Sequence, residues 1–213
     1  MTVQLTKISA GDIEAESFRI IESEFNSTKR AELDDPTFKV IQRVIHATGD
    51  FAFGDNMRFA QGAIARGIEN LKAGKNILTD VTMVASGISK PTLARWGGEA
   101  ICKVADPEIA ARAKELGKTR SETALNELLD ESIGIVAIGN APTALVEAVR
   151  VVKERFPVNP PLIIGVPVGF VNAPESKDLL VEENNCYITA LGRKGGSPVA
   201  AAIVNALMKL AIE

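Results

Sequence analysis

Residues 132–170 read SIGIVAIGNAPTALVEAVRVVKERFPVNPPLIIGVPVGF, and this stretch decides the fold. Two short aliphatic runs, IGIVAI and LIIGV, flank a long amphipathic segment, TALVEAVRVVKERF. A run that is apolar at every position suits a strand buried on both faces. Two such strands joined by a helix lie parallel, because a parallel neighbour needs a crossover connection of about a dozen residues or more. The stretch therefore predicts one strand–helix–strand unit of a parallel sheet with helices packed on it.

The same alternation continues on both sides. Upstream, NILTDVTMVASGI (76–88) opens on an Ile-Leu run and passes to Thr79, Asp80, Thr82 and Ser86, a strand that delivers polar groups at its C-terminal end. SKPTLARWG reads as a helix, EAICKVAD as a second strand, DPEIAARAKELG as a helix opened by Asp106 and Pro107, and 119–129 as another helix. Downstream, NAPESKDLLVEE holds a short helix, NCYITALG (185–192) is a fifth strand, and SPVAAAIVNALMKLAI is a nearly apolar closing helix. The fold class is α/β: a doubly wound, five-stranded parallel sheet with ligands expected at the C-terminal strand edge.

The N-terminal third adds helices to the same single domain, 1–213. Ile13, Phe18, Ile20, Ile21 and Phe25 mark one face of a helix over 11–25 with Asp12 or Ser9 as cap. Asp35 and Pro36 open a second helix with Phe38, Ile41, Val44 and Ile45 as its buried stripe, and Gly49 ends it. After a polar link, DFAFGDN, the segment MRFAQGAIARGIENLKAGKN reads as a third helix ending at Gly74.

Composition narrows the function. With 213 residues, 46% apolar and 5% aromatic, the chain is long enough for one aliphatic core, and a net charge of −3 with dispersed Lys and Arg presents no face for nucleic acid. Cys102 and Cys186 form no CxxC and have no neighbouring His, so neither a metal site nor a disulfide framework is expected. No run of about 18 apolar residues and no basic-then-apolar leader appears, which implies a cytoplasmic protein without a membrane span.

His46, in RVIHATGD (43–50), is the only histidine, and histidine is the side chain suited to proton transfer near neutral pH. It lies on the face of Arg43, near a helix C-terminus that favours a cation; an ordinary packed helical histidine fits the same position. VTMVASGISKP, IGNAPTA, VPVGFVNAPE and LGRKGGSPV each put Gly, Asn or Ser before a helix with Pro in its opening turn. One such loop is common turn chemistry, but four together point to a large ligand with several negative groups, held by helix-start amides and by Arg43, Arg120 and Arg193. GRKGGSP lacks the P-loop spacing, no GxGxxG follows the first strand, and no GxSxG elbow is present.

RVIHATGD, NILTDVTMVASGI, GKTRSETAL, VAIGNAPTAL, IIGVPVGFVNAPESKDLL and GRKGGSPVAAAIVNAL together resemble the precorrin-8X methylmutase family, including its cobalt-precorrin-8 members. The resemblance runs from about Ser17 to Leu207. It implies a flavodoxin-like fold, a homodimer, and an isomerase of cobalamin biosynthesis that moves a methyl group from carbon 11 to carbon 12 of a corrinoid macrocycle carrying several carboxylates. It further implies no cofactor and no metal bound by the protein. His46 matches the family's histidine, here preceded by Ile45, and is the implied proton donor to the ring C nitrogen. Ser17, Arg43 and Arg120 match substrate-contacting positions, and Thr79, Asp80, Asn140, Gly195, Gly196 and Ser197 are further pocket candidates. Two rivals fit the same pattern: a non-catalytic corrinoid carrier, and a doubly wound phosphate or nucleotide binder.

Overall fold

The computed structural model describes residues 7–183 and 186–213. In chain order the strands are β1 (Met57–Phe59), β2 (Asn76–Thr79), β3 (Ala100–Ile101), β4 (Ile133–Ile138), β5 (Leu162–Gly165) and β6 (Tyr187–Ala190). The helices are α1 (Ile13–Glu24), α2 (Ser27–Glu32), α3 (Asp35–Thr48), α4 (Phe53–Asn56), α5 (Ala63–Lys72), α6 (Thr82–Gly87), α7 (Lys90–Leu93), α8 (Pro107–Leu116), α9 (Arg120–Leu128), α10 (Pro142–Arg155), α11 (Ala173–Glu183) and α12 (Ser197–Ile212).

The six strands form one sheet in the order β1-β6-β5-β4-β2-β3. Every pair from β3 to β6 is parallel, and only β1 runs antiparallel, on β6. This corrects the five-stranded expectation. Met57–Phe59, read from sequence as the start of a helix, pairs with Ile188–Ala190, and the helix begins only at Ala63. The three-residue apolar-polar-apolar run fits either period, and its partner lies far along the chain, so local pattern did not separate the two. The polar link before it contains the short α4, and the first strand stops at Thr79, with α6 taking up the residues from Thr82. The fifth strand was expected from Asn185, a position outside the described residues, and is observed from Tyr187.

β4 and β5 are buried at every position, as their uninterrupted aliphatic sequences require. Alternate residues feed two cores. Ile135, Ala137, Leu162 and Ile164 join the cluster under α3, α5, α6 and α12, whereas Val136, Ile138 and Ile163 join the one under α9, α10 and α11. Helices thus cover both faces, and α12, which packs on α3, α5 and α6, is a core helix of its own chain. The α3 start differs slightly from expectation. Asp34, not Asp35, caps it by accepting from the Thr37 N–H at 2.8 Å, while Asp35 pairs with Arg30.

β2 and β4 are neighbours, yet the chain leaves β2 towards β3 on one side and continues from β4 towards β5 on the other. Their C-terminal ends therefore flank the topological switch point, where open α/β sheets bind ligands.

Candidate functional site

Asp80, directly after β2, sits at this switch point and is 1% exposed. Its carboxylate accepts the N–H groups of Gly139 at 3.1 Å, Asn140 at 2.8 Å and Ala141 at 2.8 Å. Burial pushes its carboxyl up from the ordinary range, and the three N–H groups pull the other way. Ser121 donates to the Asp80 carbonyl at 3.1 Å, which brings the start of α9, and with it the exposed Arg120, to the same edge. Thr79 is buried and donates to the Ile101 carbonyl at 3.1 Å. Both side chains expected in the pocket are thus engaged within the fold, and the α10 amides expected to receive a ligand anion are already taken by Asp80. Asn140 is exposed, and its side chain makes no hydrogen bond among the described residues.

The start of α12 lies against this turn. A side chain on Gly139 would come within 2.7 Å of the Ser197 backbone, so glycine there permits the close approach. Gly195 adopts φ 157°, and a side chain on it would reach 2.2 Å from the Val166 carbonyl oxygen. The Gly196 N–H donates to that same oxygen at 2.8 Å, and the Gly169 N–H to the Arg193 carbonyl at 3.1 Å, which locks the β6–α12 loop to the loop after β5. The Gly195 N–H donates to no acceptor among the described residues. The Arg193 guanidinium lies 5.2 Å from the ring centre of the exposed Phe170.

His46 occupies the last turn of α3, is exposed, and meets the ring of Phe18 edge-on with centroids 5.3 Å apart. The Arg43 guanidinium stacks over the same Phe18 ring at 4.6 Å and pairs with Glu14 at 2.6 Å. Lys209 of α12 also pairs with Glu14, and the two cations hold the Glu14 carboxyl down at about 2. Arg43, Phe18 and Lys209 line a cleft of about 350 Å³ between α1, α3 and α12. Ser17, next to Phe18, donates to the Ile13 carbonyl of its own helix at 2.8 Å. A Lys194–Asp50 ion pair at 2.6 Å ties the end of α3 to the β6–α12 loop.

The structure therefore brings the site candidates to two adjoining places. Asp80, Asn140, Arg120 and Gly195–Ser197 meet at the switch point, and Ser17, Arg43 and His46 gather around Phe18. Phe18, Glu14, Lys194 and Asp50 were not marked as site residues in the sequence. Phe18 looked like one more member of a buried stripe, and the Lys194–Asp50 contact, spanning 144 positions, leaves no local signal. Among the described residues no cluster of three or more His, Cys, Asp or Glu is arranged for a metal ion, and no helix is long and apolar enough to cross a membrane.

Fold and site together define a class: a doubly wound α/β protein whose candidate ligand site lies where α3, α12 and the switch-point loops converge. Comparison with known proteins narrows the class. The precorrin-8X methylmutase family model matches residues 12–210, so the chain belongs to that family. A cobalt-precorrin-8 methylmutase of Priestia megaterium is 41% identical over 200 residues, covering 93% of this chain and 87% of that protein. A precorrin-8X methylmutase of Pseudomonas aeruginosa is 44% identical over 172 residues, covering 79% and 82%. The solved structure of a precorrin-8X methylmutase from Thermus thermophilus superposes with a TM-score of 0.83 at 38% identity, covering 95% of this chain and 96% of that one. The chain is accordingly an enzyme, an isomerase of cobalamin biosynthesis.

Proposed function

We propose that this enzyme moves the methyl group on carbon 11 of precorrin-8X, or of its cobalt-containing counterpart, to carbon 12, with His46 as the proton donor. The observation that carries the assignment of His46 is its position: the only histidine of the chain, exposed at the end of α3, beside Arg43 and tied through Asp50 and Lys194 to the glycine turn that opens α12. The sheet arrangement supports a flavodoxin-like reading, since the five parallel strands taken alone follow the order 2-1-3-4-5.

The reaction is a formal 1,5-sigmatropic shift. The bond from carbon 11 to the methyl breaks as the bond to carbon 12 forms, the ring double bonds rearrange to compensate, and no atom or electron is gained or lost. His46 donates a proton to the ring C nitrogen, which draws electron density from the π-system during migration, and recovers it afterwards. A donor that bonds more strongly to the migrating state than to the bound substrate raises the turnover rate. Arg43, Arg120 and the Gly195 and Ser197 amides take the acetate and propionate arms, and Ser17 and Asn140 supply further polar contacts. Thr79 and Asp80 act from beneath, holding the strand ends that shape the site. Active sites near the interface of a homodimer complete the proposal, the partner covering the exposed His46.

His46→Ala tests the chemistry. The side chain is exposed, so the variant is expected to fold with stability within about 0.5 kcal/mol of wild type and to lose about a hundredfold to ten-thousandfold in turnover, followed by the visible absorption of precorrin-8X and its product. Wild-type turnover in this variant rejects the role of His46. Product binding without turnover by the wild type would favour the corrinoid carrier instead.

A further inference from the structure

We propose that Lys177 and Lys194 form a clamp on the β6–α12 loop, fixing it to α11 on one side and to the end of α3 on the other, so that both act as positioning residues for the Gly195–Ser197 turn relative to His46. The proposal rests on the reading of His46 and this turn as parts of one active site.

Lys177 is 0% exposed and heads the fully buried side chains by size. Lysine is almost never fully buried unless paired. Here its Nζ donates to the Lys194 backbone carbonyl at 2.9 Å, and among the described residues it has no other hydrogen bond and no ion pair. Its neighbour Ser176 turns its hydroxyl to the Ala173 carbonyl instead. Burial holds the ammonium down at about 8, and the adjacent Asp178 opposes this. In either protonation state the nitrogen retains a hydrogen for the carbonyl. An apolar side chain of similar length would fill this space without the cost of desolvating a cation, so stability alone gives no reason for a lysine here. What the lysine adds is the hydrogen bond to the loop.

That bond has a geometric consequence. The Lys194 carbonyl and the Gly195 N–H belong to one planar trans peptide and point in opposite directions. Holding the oxygen towards α11 aims the N–H, free of any protein acceptor among the described residues, away from α11. The flanking contacts, Gly169 N–H to Arg193 carbonyl and Gly196 N–H to Val166 carbonyl, secure the loop on either side and leave the intervening peptide to Lys177.

The second jaw is the Lys194 side chain. It reaches Asp50 at 2.6 Å, and Asp50 is held in turn by the Ala52 N–H at 3.0 Å, four positions beyond His46 on the capped end of α3. Lys194 is half exposed, and an exposed ion pair adds little to stability. Its contribution is to the spacing between two pieces of the site. A displacement on the order of 1 Å in such a constellation is enough to cost about a hundredfold in rate.

The test compares wild type, Lys177→Met and Lys194→Met in turnover of precorrin-8X, thermal midpoint, and amide hydrogen exchange across 191–197. Lys177→Met is expected to keep or raise the midpoint while exchange over 191–197 quickens and kcat falls about tenfold or more. Lys194→Met is expected to keep the midpoint and lower kcat by a smaller factor. Wild-type kcat and exchange in Lys177→Met overturn the clamp. Should that variant fail to fold, Lys194→Met decides, and wild-type kcat there overturns it. If the wild type itself does not convert precorrin-8X, the methyl-shift reading fails, and exchange protection over 191–197 still tests the clamp independently.

Discussion

Asp80 does from inside the protein what a bound anion does at other helix starts. It satisfies three backbone N–H groups at the opening of α10, groups that would otherwise be orphaned beside a buried strand end. Asp80→Ala is therefore expected to destabilise the fold by about 2–4 kcal/mol, read as a lowered urea midpoint with little change in slope. An unchanged midpoint would show that water replaces the carboxylate at no cost. The sequence marked Asp80 by its place after a strand, but its role was not legible, because its partners lie 59 to 61 positions further on. Arg43 presents the opposite case. Its position beside His46 was readable from helical spacing, whereas its attachment to Glu14 and its stacking on Phe18 were not. A substrate carboxylate reaching Arg43 has to share it with Glu14. Arg43→Ala should accordingly raise the dissociation constant for the product by about tenfold or more, with the bound rate less affected, while Glu14→Gln leaves affinity unchanged or tighter.

At the scale of elements, the strands and helices most legible in the sequence were those whose local pattern agrees with their surroundings. β4, β5, α10 and α12 combine continuous aliphatic strands with Pro in the opening turn of each helix, and all four fall where the pattern puts them. β1 owes its existence to a partner far along the chain, which periodicity does not record, whereas β3 was expected over 99–106 and forms only at Ala100–Ile101, where it pairs with β2. α10 carries a second feature with a measurable consequence. Its buried Glu147 accepts from Arg150 at 2.8 Å and from Asn126, with Lys118 at 3.4 Å, and Arg150 first among these holds its carboxyl down at about 2 against an ordinary 4.5. Because the folded protein resists protonating this group, the stabilisation is fully present above about pH 4.5 and drains away as pH falls towards 2. It amounts to something on the order of 2–3 kcal/mol. Glu147→Gln should be less stable than wild type at pH 7 and converge on it in urea titrations only as pH approaches 2; parallel curves at all pH values would remove the network from the account.

For the whole molecule, the question is what covers the rim of the switch point. Phe170 is 80% exposed, Val171 78% and Val168 50%, all on the loop that leaves β5 beside Arg193, and Met83 of α6 is 68% exposed close after β2. Contiguous apolar residues on a surface mark a place of contact, and a planar macrocycle with a second copy of the chain is the pair of partners proposed for this edge. The two partners make different demands. A ligand alone would leave the protein monomeric until bound, whereas a homodimer buries the loop before substrate arrives. Light scattering after size-exclusion chromatography is expected to find a dimer of the 213-residue chain without ligand, and the double variant Phe170→Ser, Val171→Ser to shift it to monomer at micromolar concentration without loss of helical signal. Both side chains project from a loop and belong to neither of the two buried cores, so folding should survive the change. A dimer of undiminished affinity in this variant would place the interface elsewhere, and the loop would then be left as a wall for the macrocycle alone, with weaker product binding as its remaining signature.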